Sequence, residues 1–188
     1  EKQMKIILAS KSEVRKEILD KHKIKNEVIV SNVDEHEIKV SLLAEGADPL
    51  MISKNLAEIK SKKVSNKYQD RLVLGADSVI SFNNELINKP NSRDEALEIL
   101  KRLNNSKHFL ISSVCISKNG SMVWNHSDES ELKMKNLKEI ELSKYLAKID
   151  TKTLLAYGVY QIEADGLELF EYIKGDRDSI MGLPIKEI

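Results

Sequence analysis

Ser10, Ser12 and Arg15 stand where an apolar run, Ile6-Ile-Leu-Ala9, meets the helical pattern Ser12-Glu-Val-Arg-Lys-Glu-Ile-Leu19. Ser10 and Glu13 have the S-x-x-E spacing of a capping box, which predicts that a helix begins there. Hydroxyls at Ser10 and Ser12 would then lie beside first-turn N–H groups, with Arg15 projecting from the same turn. Helix N-termini carry partial positive charge and hold phosphate readily, so this segment reads as one wall of a phosphate site. A capping serine is equally ordinary without any ligand, and the rest of the chain has to weigh in.

Asp77 interrupts the apolar segment Leu72-Val-Leu-Gly-Ala-Asp77-Ser-Val-Ile80. A buried carboxylate costs several kcal/mol unless a partner offsets it. A metal ion, a lysine or a bound water would do so, and all three suit hydrolysis; the plainer reading is an acid capping the turn after a strand. Glu35, in Val33-Asp-Glu-His-Glu37, follows a predicted strand and could join Asp77 in binding a hard divalent cation. His36 and Glu37 make zinc conceivable, but no H-x-x-x-H or C-x-x-C spacing supports it, and acidic loops are usually just solvated. Lys60 follows Ile52, Leu56 and Ile59 at helical spacing, which puts it at the edge of a buried face. It could reach into a cleft, although most such lysines snorkel to water. Lys89, in Asn88-Lys89-Pro90, is restrained by the proline that follows it, which aims a positive charge and is also a common loop sequence.

No G-x-x-x-x-G-K-[ST], G-x-G-x-x-G or kinase signature is present, nor a G-x-S-x-G elbow or a Cys–His nucleophile pattern. Phosphate chemistry here would use dispersed Arg and Lys charges and a helix end. Lys+Arg and Asp+Glu number 30 each, so general attraction to nucleic acid or an anionic membrane is not expected and any anion site must be local. Aromatics are 5% of residues and form no basic-aromatic platform for RNA. Neither a membrane-length apolar stretch nor a signal-peptide pattern is read. The single cysteine, Cys115, lies in an apolar strand-like run; it reads as a buried structural thiol in a reducing compartment, by default the cytoplasm.

The elements that must position these residues follow from pattern. A length of 188 residues with 41% hydrophobic and 32% charged predicts one globular domain, 1–188, with two lobes around a cleft. Strands are predicted at Lys5–Ala9, Glu27–Val33 and Leu72–Ile80. Two long strands, Phe109–Ser117 and Met122–Met134, are joined by the turn Lys118-Asn-Gly120. Helices are predicted from Ser12 to about His22 and from Asp48-Pro49 to about Lys67, the latter with proline at its first position. A third starts at the capping spacing Ser92-Arg-Asp-Glu95 and carries Ala96, Ile99, Leu100 and Leu103, and a fourth covers Leu142–Ile149. Gly158–Ile162, Leu167–Ile173 and a segment from Met181 complete a mixed α/β chain.

Taken together, these segments resemble the Maf family of nucleoside triphosphate pyrophosphatases over nearly the whole chain. The residues that carry the resemblance are Leu8-Ala-Ser10-x-Ser12-x-x-Arg15, Glu35, Lys60, Gly75-Ala-Asp77-Ser-Val, Lys89-Pro90, the Ala96 helix, His108 and Gly182-Leu-Pro184. The resemblance implies an α/β fold shared with the inosine triphosphate pyrophosphatase group: a long twisted mixed sheet with flanking helices, and two lobes around a cleft. It implies hydrolysis of a nucleoside triphosphate to the monophosphate and pyrophosphate with a divalent metal, Mg²⁺ or alternatively Mn²⁺ or Co²⁺. Asp77 would be the proton acceptor, and Glu35 and Asp77 the metal ligands. Ser10, Ser12, Arg15, Lys60, Lys89 and Glu163 would bind substrate. A homodimer, removal of non-standard nucleotides and a link to arrest of cell division are also implied.

Two departures bear on these implications. The family usually has Ser-Pro-Arg-Arg or Ser-Pro-Trp-Arg where this chain has Ser12-Glu-Val14-Arg15. Gly75-Ala-Asp77-Ser78 resembles the branch acting on dTTP and UTP, whereas Tyr160-Gln-Ile-Glu163 and Leu169-Phe-Glu171 resemble branches that include the one acting on 7-methyl-GTP. The pattern is a hybrid and leaves base preference open. The rival expectation is a regulator of cell division that binds a nucleotide without turnover.

Overall fold

The computed structural model describes residues 5–160, 162 and 165–188. Its elements in chain order are β1 (Ile6–Leu8), α1 (Glu13–Lys21), β2 (Asn26–Val28), α2 (Glu35–Ala44), α3 (Pro49–Ser65), β3 (Val73–Phe82), β4 (Glu85–Ile87), α4 (Arg93–Leu103), β5 (Lys107–Lys118), β6 (Ser121–Met134), α5 (Glu139–Ala147), α6 (Thr151–Tyr157), β7 (Phe170–Lys174) and α7 (Arg177–Ile180). The strands form one mixed sheet in the order β2-β1-β3-β5-β6-β7, with β4 paired to β3. The expected α/β class with flanking helices is what the chain adopts.

Caps explain most helix starts. Asp48 accepts from the Met51 N–H at 2.8 Å and Ser92 from the Glu95 N–H at 3.1 Å, as their spacing predicts. At the first helix the expectation needs correction. Ser12, not Ser10, is the N-cap, accepting from the Arg15 N–H at 3.2 Å, because the Ser10 hydroxyl is already committed to the Ser12 N–H. Three helices lie outside those predicted: α2, α6 and the short α7. Asp34 caps α2 through the Glu37 N–H at 3.0 Å, so Glu35 opens a helix rather than sitting in an acidic loop. Asp150 caps α6 through the Thr153 N–H at 2.7 Å. The second strand covers Asn26–Val28 instead of Glu27–Val33. Gly158–Tyr160 is not strand, and part of the predicted Gly158–Ile162 segment lies outside the described residues. The β5–β6 turn is Asn119-Gly120 with both φ values positive, 51° and 81°, the conformation that asparagine and glycine tolerate in a tight hairpin.

The chain divides into two compact units. The first comprises Glu1–Val79, Ile111–Glu129 and Asp176–Ile188. Here β1 runs parallel to both β2 and β3, with Ile7 opposite Glu27 and Val73. Successive side chains alternate between faces. Leu8, Leu74 and Ala76 therefore pack with Ile18, Leu19, Val114, Leu183 and Ile185, while Ile7, Ala9 and Val73 meet Val64 of α3. Burial on both faces is why β1 and β3 read as continuous apolar runs. Each fully buried leucine contributes about 2 kcal/mol.

Helix α3 approaches the sheet unusually closely. Its buried face includes Ser53, Ala57, Ser61 and Ser65 at every fourth position. At Gly75 of β3, a Cβ would lie 2.8 Å from the Ser61 backbone nitrogen and nearer still to the Ala57 carbonyl. Cys115 is buried against this face, with Ser61 Oγ 3.3 Å from its sulfur, in keeping with the structural thiol expected.

The second unit comprises Ile80–Leu110 and Ser130–Gly175. Its core joins Ala96, Leu100 and Leu103 of α4 to Leu132 and Met134 of β6, Leu142 and Leu146 of α5, Leu154 of α6 and Phe170 of β7. Arg93 fastens α4 to the end of α5 by donating to the Ile149 carbonyl at 2.9 Å and the Leu146 carbonyl at 2.5 Å. His108 lies fully buried in this unit, 2.8 Å from the Tyr160 hydroxyl.

Candidate active site

The acid in the apolar strand is buried beside a buried lysine. Asp77 is 5% exposed and Lys60 is 7% exposed. Lys60 Nζ lies 3.2 Å from Asp77 Oδ1 and 2.5 Å from Glu35 Oε1, and it also donates to the Ala76 carbonyl at 3.3 Å. Lys60 does not snorkel to water from the margin of its helix. The small residues of α3 and Gly75 let the helix come close enough to β3 for its ammonium to be drawn inward, in the middle of the buried face. Glu35 reaches it from the first turn of α2. Lys63 Nζ donates to the Asn32 carbonyl at 2.6 Å, tying α3 to the segment just before Glu35.

Asp77 Oδ2 is buried and has no hydrogen-bond partner among the described residues. Burial pushes the Asp77 carboxyl above the ordinary carboxylate range, and nearby Glu35 pushes it the same way. Lys60 and Arg15 oppose the rise without cancelling it. A carboxyl in that condition is a better proton acceptor near neutrality than a solvated one.

Arg15 supplies the second positive charge. Its Nε donates to the Gly182 carbonyl at 2.9 Å, Nη1 to Ser10 Oγ at 3.0 Å and Nη2 to Ser78 Oγ at 3.4 Å. A guanidinium has five N–H donors, so two remain for a ligand. Burial lowers the Arg15 pKa, with Asp77 and Glu35 pulling it back up. The serine-capped helix tip and the strand aspartate thus belong to one electrostatic cluster.

Ser10, Ser12, Arg15, Glu35, Lys60 and Asp77 all fall in the first unit and are brought together there. Lys89 is exposed, between β4 and the buried Pro90 of the second unit. Glu163 lies outside the described residues. The roles of Ser78 and the Gly182 carbonyl in holding Arg15 were not anticipated, and only the Gly75-to-Val79 and Gly182-Leu-Pro184 motifs hinted at them. Val14 packs against the apolar cluster of α1 and β1.

The residues fit a divalent cation that keeps most of its ligands as water and phosphate oxygen. Two carboxylates are present, Glu35 with a side chain 35% exposed and Asp77 with an unpartnered oxygen. Among the described residues, no group of three or more His, Cys, Asp or Glu side chains forms an all-protein cage. Arg15 and Lys60 are balanced by Glu35 and Asp77, so these four side chains would leave the charge of any polyanionic ligand uncompensated, and a hard cation sharing one or two carboxylates would supply what is missing.

Comparison with known proteins places the whole chain in one family. A family model described as "Maf-like protein" matches residues 5–188. A "Nucleoside triphosphate pyrophosphatase" of Pelagibacter ubique is 58% identical over 183 residues, covering 97% of this chain and 94% of that one. A protein of the same description from Ruegeria pomeroyi is 38% identical, with 97% and 92% covered. A "7-methyl-GTP pyrophosphatase" of Rhizobium meliloti is 34% identical, with 96% and 90% covered. A match over residues 5–188, with the acid, lysine, arginine and serines of the expected motifs in one cluster, means that the chain belongs to the Maf family.

Proposed function

We propose that this chain hydrolyses a nucleoside triphosphate at the α–β phosphoanhydride bond, yielding the nucleoside monophosphate and pyrophosphate. The observation that carries this is Asp77: a buried carboxyl whose pKa burial raises, one oxygen held by Lys60 and the other without a partner among the described residues. The names of the curated relatives point to the same reaction. Lys60 holds Oδ1, which leaves Oδ2 to accept a proton from the attacking water. The water oxygen forms a bond to the α-phosphorus, the α–β bond breaks in line, and pyrophosphate leaves with its negative charge. Asp77, now protonated, can return the proton to the departing group.

The two spare donors of Arg15 bind phosphate oxygens, and Ser10 and Ser12 shape that pocket. Each such preorganised donor is worth roughly 3–4 kcal/mol of barrier by analogy with oxyanion-hole losses. A divalent cation, Mg²⁺ or alternatively Mn²⁺ or Co²⁺, held by Glu35 and Asp77, would supply neutralising charge on the phosphate oxygens. Lys89 and Glu163 are proposed substrate contacts on the strength of the family resemblance alone. The cellular role proposed is removal of non-standard nucleotides.

The test is a panel of standard nucleoside triphosphates and 7-methyl-GTP, with pyrophosphate and monophosphate measured after chelation and after adding Mg²⁺, Mn²⁺ or Co²⁺. Equimolar monophosphate and pyrophosphate, lost on chelation and restored by one of these ions, is the expected result. Nucleotide that binds and is recovered intact under every condition would replace the enzyme with a nucleotide-binding regulator.

A further inference from the structure

The orientation of Arg15 depends on a backbone carbonyl in a short turn. Gly182, whose carbonyl accepts from Arg15 Nε, has φ of +116°, and a Cβ there would lie 3.4 Å from Nε. The turn follows α7, a four-residue helix too short to be stable by itself. Hydrogen bonds from its own cap, from β6 and from β5 converge on Ser179 to hold it. Its N–H donates to the Asp176 cap at 3.1 Å. Its hydroxyl donates to Asp128 Oδ2 on β6 at 2.5 Å. Its carbonyl accepts from the Ser112 hydroxyl on β5 at 2.7 Å.

The same serine reaches the guanidinium by two routes. The Gly182 N–H donates to the Ser179 carbonyl at 3.1 Å, which sets the carbonyl that receives Nε. Ser112 Oγ lies 2.9 Å from Ser78 Oγ, which in turn accepts from Nη2. The bond from Ser179 to Asp128 is as short as expected for a hydroxyl on an ionised carboxylate. Burial works against ionisation of Asp128, but hydrogen bonds from Ser179 and His126 prevail.

We propose that Ser179 and Asp128 are positioning residues that aim the Arg15 guanidinium at the substrate's phosphates. This rests on the reading that Arg15 binds the triphosphate. Neither residue touches substrate; both act by fixing two of the three hydrogen bonds that orient the fork, leaving its remaining donors in register.

The test is a double-mutant cycle on the full chain. Ser179→Ala and Asp128→Ala are each made in the wild type and in Arg15→Lys, whose ammonium cannot use the fork geometry, and kcat and KM are measured for pyrophosphate release. Each single change lowers kcat/KM roughly 5- to 10-fold in the wild type and by less than about 2-fold beside Arg15→Lys. Ser117→Ala serves as control. Its hydroxyl is buried against Ser61 at 2.7 Å on the opposite strand face from Ser112, so it lowers Tm and leaves kcat/KM unchanged. A large Arg15→Lys defect combined with equal-fold Ser179→Ala and Asp128→Ala losses in both backgrounds refutes the positioning role alone. Wild-type kcat/KM in Arg15→Lys refutes the phosphate role of Arg15, and the positioning role falls with it.

Discussion

His108 is a pH-dependent weakness built into the second unit. It is fully buried, its Nε2 faces the Tyr160 hydroxyl at 2.8 Å, and its Nδ1 has no partner among the described residues. Protonation would bury a charge and an unsatisfied donor together, and burial depresses the pKa from 6.5 to about 4. In the unfolded chain the ring keeps its ordinary value. Between pH 6.5 and about 4 the unfolded state therefore binds a proton that the folded state refuses, so stability falls as pH falls through that window. At 1.36 kcal/mol per pH unit the full loss is about 3 kcal/mol, of which about 2 kcal/mol is gone by about pH 5. Urea unfolding of the wild type and of His108→Asn, from pH 7 down to about 4.5, isolates this contribution, because every other titrating group is shared. The variant is less stable at pH 7, and its curve flattens relative to the wild type as pH falls, so the two converge. Asp77, with its raised pKa, works in the opposite sense in both proteins and cancels in the difference. Parallel curves across the window would refute the reasoning and mean that the ring titrates as if solvated.

Three further outcomes are expected. Asp77→Asn cuts turnover by at least on the order of 10²-fold while its Tm stays at or above the wild-type value, because a buried, destabilised charge is removed. Lys60→Met costs about 3–5 kcal/mol in urea unfolding at neutral pH, since Glu35 and Asp77 are left without their shared cation; the deficit shrinks on acidification as Asp77 takes up a proton. Gly75→Ala forces α3 away from β3 at Ala57 and Ser61, lowering stability by about 1–3 kcal/mol. It also lowers turnover, because the same shift withdraws Lys60 from Asp77.

The parts of this molecule written locally were legible from sequence. Asp48 and Ser92 cap the helices their spacing predicts, because a cap is a bond across three residues. Asn119-Gly120 turns the long hairpin, and the apolar runs of β1 and β3 announce strands covered on both faces. Local chemistry also misled where two local options competed. Ser10 and Ser12 both offered a cap, and only the commitment of the Ser10 hydroxyl to the Ser12 N–H and to Arg15 decided between them. Val33-Asp-Glu-His-Glu37 looked like a solvated loop because its acids hid a capped helix start, where acids are in fact favoured.

The family was determined by sequence alone, and so were the residues that cluster in the candidate site: the order Ser10, Arg15, Glu35, Lys60, Asp77 is carried in the one-dimensional string. What those side chains are was decided only in three dimensions. Lys60 becomes an internal cation because a glycine in β3 and small residues in α3 let helix and strand close on each other. Asp77 becomes a raised, half-satisfied acid because that lysine occupies one oxygen and burial deprives the other of water. Arg15 is oriented by Gly182, a residue 167 positions away. Desolvation and long-range hydrogen bonds depend on what packs around a group, and no window of neighbouring residues contains that information.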